Sequence, residues 1–344
     1  MICYPAPLAA GSVIAISALS AGVPAAYHAR LDRVLAGLTA AGYQLIEGRY
    51  LRQNQQHVSA SAEERAAELM QFLLDDDIAA ILPPWGGELA MQLLPLLDFA
   101  AIANAKPKWL LGFSDISTIS SVLTAQCGWA TVHGANLMQL HPLQTEPLTA
   151  NTLKVLQLKR GDSLLQHASS YYETQPCSFA DNPDALFNLT EPTLWQWLGQ
   201  PPTSGSMQGR LLGGCLDTLM HLLLTDYLDI RQLKLAYGAE GVLLYLENAE
   251  LSATALARAL LALKYRGVLQ HIKGIVFGRD GSQGQPAKDF SYSQALSMVL
   301  QDTGLPVLIN ADIGHLAPNL ALINGAVAEI GISNGKGWIR QQLV

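Results

Sequence analysis

The sequence predicts an α/β fold that contains a parallel β-sheet, and two observations carry this prediction. Short apolar segments alternate with segments whose apolar residues recur at helical spacing, which is the pattern of successive βαβ units. Half of the 344 residues are hydrophobic and only 14% are charged, which favours strands that are buried on both faces. A chain of this length is sufficient for about two domains, each with its own core.

The first half of the chain contains most of this alternation. Its predicted elements are a strand at 13–17, a helix at 25–41, a strand at 43–47, a helix at 62–74, a strand at 78–82, a strand at 108–111 and a helix at 116–125. The glycine pair Gly86 and Gly87 follows the third strand. Adjacent glycines at the carboxyl end of a strand let backbone amides approach a ligand closely, although an ordinary tight turn would use the same residues.

The middle of the chain differs in composition from both halves. Between residues 143 and 209, proline, glutamine, serine and asparagine accumulate, and Trp195 and Trp197 lie within this region. Long loops in compact enzymes are often lids or binding loops, so we expect a long loop here. The two tryptophans could instead pack on the domain surface.

The second half resumes the α/β pattern. Its predicted elements are a helical segment that ends at 224, a strand at 241–246, a helix at 253–265, a strand at 272–277, a helix at 291–300 and a strand at 306–309. We therefore predict an N-terminal nucleophile domain at 1–150, a connecting segment and loop at 151–208, and a C-terminal domain at 209–344.

Composition excludes several classes of function. The net charge of −7 and the absence of a long basic run argue against binding to nucleic-acid polymers. The four cysteines form no Cys-x-x-Cys pair, and no closely spaced His/Asp/Glu cluster occurs, so we expect no metal and no cofactor. The apolar stretch at 5–26 lacks the basic residues of a secretion signal, and no segment has the ~20 apolar residues of a membrane span. We expect a cytoplasmic protein without a membrane partner.

Ser114 lies at a corner between a predicted strand and a predicted helix. In a nucleophile elbow, such a serine is exposed above the sheet, and the amide of the next residue, Asp115, points to where an oxyanion would form. A serine that merely caps the helix would occupy the same position. Glu247 and His315 also lie where apolar strands give way to polar turns, as a carboxylate and a base for Ser114 would. Each has a structural alternative, and His133 is another candidate base.

Several motifs in this order resemble the LD-carboxypeptidase and microcin C immunity family of serine peptidases. They are Gly86-Gly87, Leu111-Gly112-Phe113-Ser114-Asp115-Ile116-Ser117, Val132-His133-Gly134, Arg210-Leu211-Leu212-Gly213-Gly214, Leu246-Glu247-Asn248, and Gly314-His315 with Pro318. The resemblance implies a catalytic triad of Ser114, Glu247 and His315, and an oxyanion hole formed by the amides of Asp115 and of the glycine pair, most directly Gly87. It also implies an N-terminal domain similar to class I glutamine amidotransferases (flavodoxin-like), a smaller C-terminal α/β domain, and a homodimer.

Two positions depart from the family pattern and bear on the substrate. Trp85 replaces an arginine that many members have before the glycine pair, and Cys215 replaces an asparagine. The segment with Trp195 and Trp197 resembles the extended loop of the microcin immunity branch, where aromatic residues stack on a nucleobase. We therefore predict that Trp85, Gly86, Trp195 and Trp197 bind substrate.

Three hypotheses about function follow. The first is a serine carboxypeptidase that cleaves an amide near the C-terminus of a small peptide such as murein tetrapeptide. The second is an immunity peptidase that cleaves peptidyl-nucleotide antibiotics of the microcin C type. The third, of another class, is a non-catalytic protein that binds peptides or nucleotides.

Overall fold

The computed structural model describes residues 2–200, 204–282 and 289–344 and contains two main β-sheets with helices packed against them. In these ranges the strands are β1 (Val13–Ile16), β2 (Gln44–Glu47), β3 (Ile78–Ile81), β4 (Trp109–Leu110), β5 (Thr131–His133), β6 (Ser163–His167), β7 (Tyr171–Tyr172), β8 (Glu191–Pro192), β9 (Gln196–Trp197), β10 (Gly205–Cys215), β11 (Val242–Asn248), β12 (Ile272–Asp280), β13 (Val307–Ala311), β14 (Leu322–Asn324), β15 (Val327–Ser333) and β16 (Lys336–Gln342). The α-helices are α1 (His28–Ala40), α2 (Ala62–Leu74), α3 (Phe99–Asn104), α4 (Ile116–Cys127), α5 (Pro147–Val155), α6 (Leu216–Leu219), α7 (Ile230–Tyr237), α8 (Ala253–Tyr265) and α9 (Tyr292–Leu300).

The first sheet is parallel throughout its described strands, which have the order β2-β1-β3-β4. Its central strand β1 is apolar, and Ile14, Ala15 and Ile16 are fully buried, as expected for a strand covered on both faces. Helix α2 begins at a capping box in which the Ser61 hydroxyl and the Glu64 carboxylate each accept the other residue's amide. The predicted parallel sheet in the N-terminal region is confirmed.

The second sheet is mixed, and its described strands have the order β6-β16-β15-β10-β11-β12-β13-β9. Strands β10 to β13 are parallel to one another, and antiparallel strands flank them on both sides. The carboxyl ends of β11 and β13 therefore lie at the same edge. That edge faces the first sheet's helix α4.

The two sheets meet where β10 packs directly on α4. The Cys215 amide donates to Ser117 Oγ at 3.0 Å, and Ser121 Oγ donates to the Gly213 carbonyl at 2.7 Å. A Cβ on Gly214 would overlap the Ser117 side chain, so this close approach requires glycine. The contact fixes the second sheet against the helix that begins beside Ser114.

The segment predicted as a long loop is more regular than its composition indicated. It contains α5, and its strands β6 and β9 form the two edges of the second sheet. The helix expected to end at 224 is also shorter, because α6 makes a single turn from 216 to 219. Polar composition predicted a loop, but pairing with distant strands satisfies these backbone groups.

Trp195 and Trp197, which the sequence predicts to bind substrate, have buried side chains in this structure. Their side chains are 3% and 8% exposed and belong to the apolar cluster beneath the second sheet. The Trp195 ring lies against Gly337, and its Nε1 donates to Asp312 Oδ2 at 2.7 Å. The contact of either tryptophan with substrate stays a prediction.

Candidate active site

Ser114 occupies the turn between β4 and α4 in a left-handed conformation, with φ of +64°. This backbone region is costly for residues other than glycine, and it is the geometry of a strand-to-helix nucleophile elbow. Asp115 is at the N-cap position of α4 but makes no side-chain capping bond; its carboxylate accepts the Thr118 hydroxyl at 3.2 Å and the Ala90 amide at 2.8 Å. Ser114 Oγ makes its hydrogen bond to His315 and not to the start of the helix.

His315 lies between Ser114 and Glu247 and makes hydrogen bonds to both. Its Nε2 lies 3.0 Å from Ser114 Oγ, and its Nδ1 lies 2.9 Å from Glu247 Oε2. Ser114 comes from the first sheet, whereas Glu247 ends β11 and His315 follows β13 in the second sheet. The three predicted residues are thus brought into one hydrogen-bonded line across the junction of the two sheets.

The Glu247–His315 contact favours the charged forms of both groups. Burial by itself would raise the pKa of Glu247, but the charge and hydrogen bond of His315 outweigh it and bring that pKa below its ordinary value. Burial would likewise lower the pKa of His315, but the charge and hydrogen bond of Glu247 raise it above its ordinary value of 6.5. Asp217 and Glu250 add to this effect, so the imidazole is a stronger base than a free histidine.

The raised pKa of His315 predicts the pH dependence of activity. Only the neutral imidazole can accept the Ser114 proton, so kcat/KM is expected to rise with pH through a midpoint above 6.5. The same group stabilises the fold fully below its unfolded pKa, and this contribution is lost as pH rises through the folded pKa. A kcat/KM profile measured from pH 5 to pH 9, together with unfolding at each pH, tests both effects. A midpoint at or below 6.5 would contradict the prediction.

The glycine pair lies directly against the serine. A Cβ on Gly86 would come within 2.7 Å of Ser114 Oγ and 2.9 Å of the Asp115 nitrogen. Gly87 has a φ of +143°, and the Gly86 carbonyl accepts the Ala21 amide at 3.2 Å. The space in front of Ser114 therefore exists because residue 86 has no side chain. The roles of the Gly87 and Asp115 amides in an oxyanion hole stay predictions.

Gly86→Ala is expected to reduce kcat by about 10²-fold or more, because the new methyl group fills the space where an oxyanion would be stabilised. Gly86 does not have a positive φ, so the substitution adds no backbone strain of its own. Steady-state turnover of the variant measures the fall in kcat, and thermal unfolding measures any loss of stability.

Gly134→Ala is the matched control for this substitution. A Cβ there would make ordinary contacts of 3.4 Å or more, although Gly134 also packs near the elbow at Leu111. Turnover close to wild type in both variants would mean that the space beside Ser114 is not used.

Trp85 is half-buried beside the glycine pair. Its Nε1 donates to the Gly22 carbonyl at 3.2 Å, and its ring meets the Tyr27 ring edge-on at 5.2 Å. Its contact with substrate stays a prediction, as does that of Gly86. Cys215 is buried, and burial raises the pKa of its thiol, so it lacks the thiolate character of a nucleophile.

His133 makes no hydrogen bond to Ser114. Its ring is fully buried, and neither ring nitrogen has a hydrogen-bond partner among the described residues. Burial lowers the pKa of His133 to about 4, so the ring stays neutral against Tyr245, whose ring centroid is 5.3 Å away. The ring nitrogen within hydrogen-bond distance of Ser114 Oγ belongs to His315.

Two residues of the site had not been identified from the sequence. Phe113 packs edge-on against His315 with ring centroids 5.0 Å apart. Asp217 accepts the amides of Ala249 and Glu250, each at 3.0 Å, and so holds the turn that follows Glu247. Phe113 precedes Ser114 directly, whereas Asp217 carries no local signal because its partners are distant in the chain.

Two features are absent from the described residues. Within 2–200, 204–282 and 289–344, no group of three or more His, Cys, Asp or Glu side chains is arranged to hold a metal ion. In the same ranges, no helix is long and apolar enough to cross a membrane.

Family models and known proteins match this chain over most of its length. The model of the LD-carboxypeptidase N-terminal domain matches residues 14–134, and that of the LD-carboxypeptidase C-terminal domain matches residues 208–330. The chain is 25% identical to the microcin C7 self-immunity protein MccF of Escherichia coli, over 98% of this chain and 95% of MccF. It is 27% identical to a "Probable murein peptide carboxypeptidase" of Bacillus subtilis, over 89% of each chain. A solved structure of MccF in complex with aspartyl sulfamoyl adenosine superposes with a TM-score of 0.84, at 25% identity and over 99% of each chain.

Proposed function

Because this chain belongs to the LD-carboxypeptidase family, which are serine peptidases, we propose that Ser114, His315 and Glu247 are its catalytic triad. The observation that supports this assignment is the hydrogen-bonded line from Ser114 Oγ through both ring nitrogens of His315 to Glu247 Oε2. A histidine held in this way has its Nδ1 proton directed at the carboxylate and its Nε2 lone pair directed at the hydroxyl.

The reaction proceeds through an acyl-enzyme. His315 Nε2 accepts the Ser114 proton as Oγ attacks the carbonyl carbon of the scissile amide, and the imidazolium then protonates the leaving amine. Water enters, gives a proton to the same nitrogen and attacks the ester, and the imidazolium then returns a proton to Ser114 Oγ as the ester bond breaks and the acid is released. Glu247 stabilises the imidazolium in both half-reactions and does not itself take the proton.

The oxyanion hole is formed by the Asp115 amide, at the N-terminus of α4, and by an amide of the glycine pair, which we assign to Gly87. A helix N-terminus presents unpaired N–H groups and a partial positive charge. The close approach of Gly86 to Ser114 Oγ supports a role for this loop at the reacting carbonyl.

For the substrate we propose murein tetrapeptide, from which the enzyme removes the C-terminal residue. The Bacillus subtilis relative carries the name of a murein peptide carboxypeptidase, and the match covers most of both chains. A second candidate substrate is a peptidyl nucleotide, which the full-length similarity to MccF favours. Trp85, half-buried beside the glycine pair, is the aromatic residue we propose to contact either substrate.

Together with the triad we propose the domain boundaries, the cellular location and the oligomeric state. We propose a nucleophile domain at 1–150 with the class I glutamine amidotransferase-like arrangement, a connecting segment at 151–208, and a domain at 209–344 that supplies Glu247 and His315. The parallel first sheet supports the first of these. We further propose that the protein acts in the cytoplasm as a homodimer.

Turnover of the two substrates tests the proposal. Murein tetrapeptide and aspartyl sulfamoyl adenosine are each incubated with the wild type and with Ser114→Ala, and the leaving group, the terminal amino acid or sulfamoyl adenosine, is quantified. Cleavage of the tetrapeptide by the wild type alone supports the murein assignment, whereas cleavage of only the acyl nucleotide selects the second candidate. Binding of either compound without cleavage would favour the hypothesis of a non-catalytic binding protein.

A further inference from the structure

A buried ion pair lies behind the loop that carries His315. Arg279, near the end of β12, donates through Nη2 to Oδ1 of Asp312, which directly follows β13. The side chains are 4% and 0% exposed. Removing two charges from water is costly, and apolar residues of similar size often stabilise a core as well. The pair therefore calls for an explanation beyond stability.

Arg279 holds the backbone of the His315 loop directly. Its Nη1 donates to the carbonyls of Leu316 at 2.9 Å and of Pro318 at 3.2 Å, which lie one and three residues beyond His315. The carbonyl between them, that of Ala317, accepts the Glu173 amide at 2.9 Å. At the start of the loop, the Asp312 carbonyl accepts the Leu320 amide at 2.7 Å. The loop is thus fixed on both sides of the imidazole.

The same pair binds the part of the chain that crosses over this loop, residues 169–195, which we call the crossing segment. Arg279 Nη2 donates to the hydroxyl oxygens of Ser169 and Thr193, each at 3.1 Å, and the Tyr172 ring lies 4.5 Å from the guanidinium carbon. Asp312 accepts the Trp195 indole at 2.7 Å. The planar guanidinium can serve these acceptors together because its donors are fixed in a fork.

We propose that Arg279 is a positioning residue for the reaction, which sets the location of His315 by holding the carbonyls of its loop and anchoring that loop, through Asp312, to the crossing segment. This inference rests on the proposed role of His315 as the base. The base must lie within hydrogen-bond distance of Ser114 Oγ, and a displacement of ~1 Å can cost about 10²-fold in rate. A lysine at 279 keeps the charge but has no planar fork, so it cannot hold two carbonyls and the Asp312 carboxylate together.

Arg279→Lys and Asp312→Asn test the proposal, because both keep side-chain volume while the first removes the planar fork and the second removes the carboxylate that the fork binds. Three readouts are compared with the wild type at a temperature where each variant is folded. They are kcat and KM on the substrate that the wild type cleaves, the rate at which a fluorophosphonate labels Ser114, and the downfield proton resonance of His315 Nδ1 in its bond to Glu247. We expect kcat and the labelling rate to fall about 10-fold or more, with KM nearly unchanged. The intensity of the His315 Nδ1 proton resonance should also fall.

Arg210→Lys is the matched control. Arg210 also pairs with a carboxylate, that of Glu240, donates to a carbonyl, that of Gly325, and lies over a tyrosine ring, that of Tyr237. It lies in β10 opposite Val242, at the start of β11 and away from the end that carries Glu247, so its replacement is expected to change stability but not the labelling rate.

The outcomes separate the inference from the function on which it rests. His315→Ala serves as the reference, and retention of turnover in it would overturn the proposed function and this inference together. If His315→Ala is inactive while Arg279→Lys and Asp312→Asn label at the wild-type rate, the inference alone is overturned. A loss of labelling in these two variants that is matched in Arg210→Lys would also overturn it, because the effect would then reflect general destabilisation.

Discussion

Replacing Ser114 with alanine is expected to lower turnover by about 10⁴-fold or more, because the reaction then has no oxygen nucleophile to form the acyl-enzyme. The hydroxyl contributes the bond to His315 Nε2 at 3.0 Å, and the backbone keeps its φ of +64° with either side chain. The fold should therefore persist. Turnover of the cleaved substrate measures the loss of activity, and circular dichroism and thermal unfolding measure whether the fold persists.

Ser120→Ala provides the control within the same helix. Its Oγ is buried and donates weakly to the Ser117 carbonyl at 3.5 Å, and it does not contact His315. Full activity is expected there. If Ser114→Ala kept wild-type turnover, Ser114 would not be the nucleophile, and the mechanism would have to be abandoned.

Exchange of Glu247 for glutamine is expected to be nearly as damaging, although the two side chains have almost the same shape. In serine protease triads, the corresponding change of carboxylate to amide lowers kcat by about 10⁴-fold, because the histidine then takes the wrong tautomer. The Glu247 carboxylate is fully buried, and its Oε2 accepts a hydrogen bond from His315 Nδ1, with the two atoms 2.9 Å apart. Without it, the raised pKa of His315 should fall, and the midpoint of the kcat/KM profile should move to lower pH.

The difference in stability between the wild type and Glu247→Gln is expected to depend on pH. The folded pKa of Glu247 lies below its ordinary value, so the wild-type carboxylate stabilises the fold above its unfolded pKa and loses this effect as pH falls. The stability difference between wild type and variant should shrink in acid. Glu63→Gln, which replaces an exposed acid in α2, should change kcat by less than about twofold. Equal losses in both variants would indicate a general charge effect instead of a specific triad contact.

Local patterns in the sequence were sufficient for most of the α/β framework. The predicted strands at 13–17 and 78–82 and the helices at 62–74 and 253–265 agree with the structure to within a residue or two, because their apolar periodicity is a property of the segment itself. Prediction was weakest between residues 143 and 209. There the strands β6 and β9 are stabilised by pairing with β16 and β13, which lie more than 100 residues away.

The candidate site likewise has features that local sequence predicted and features that depend on distant contacts. The sequence by itself determined that Ser114 lies at a strand-to-helix corner beside a glycine-containing turn, and the order of its motifs selected Glu247 and His315 as partners. It could not decide that His133, also at a strand end, stays buried without contacting Ser114, or that the Trp195 side chain is buried. Only the tertiary structure decided these points, because they depend on contacts such as His315 with Ser114, 201 residues apart, and Arg279 with the loop beyond His315. Periodicity and turn chemistry act over a few residues, whereas the position of a base relative to its nucleophile follows from how two sheets pack.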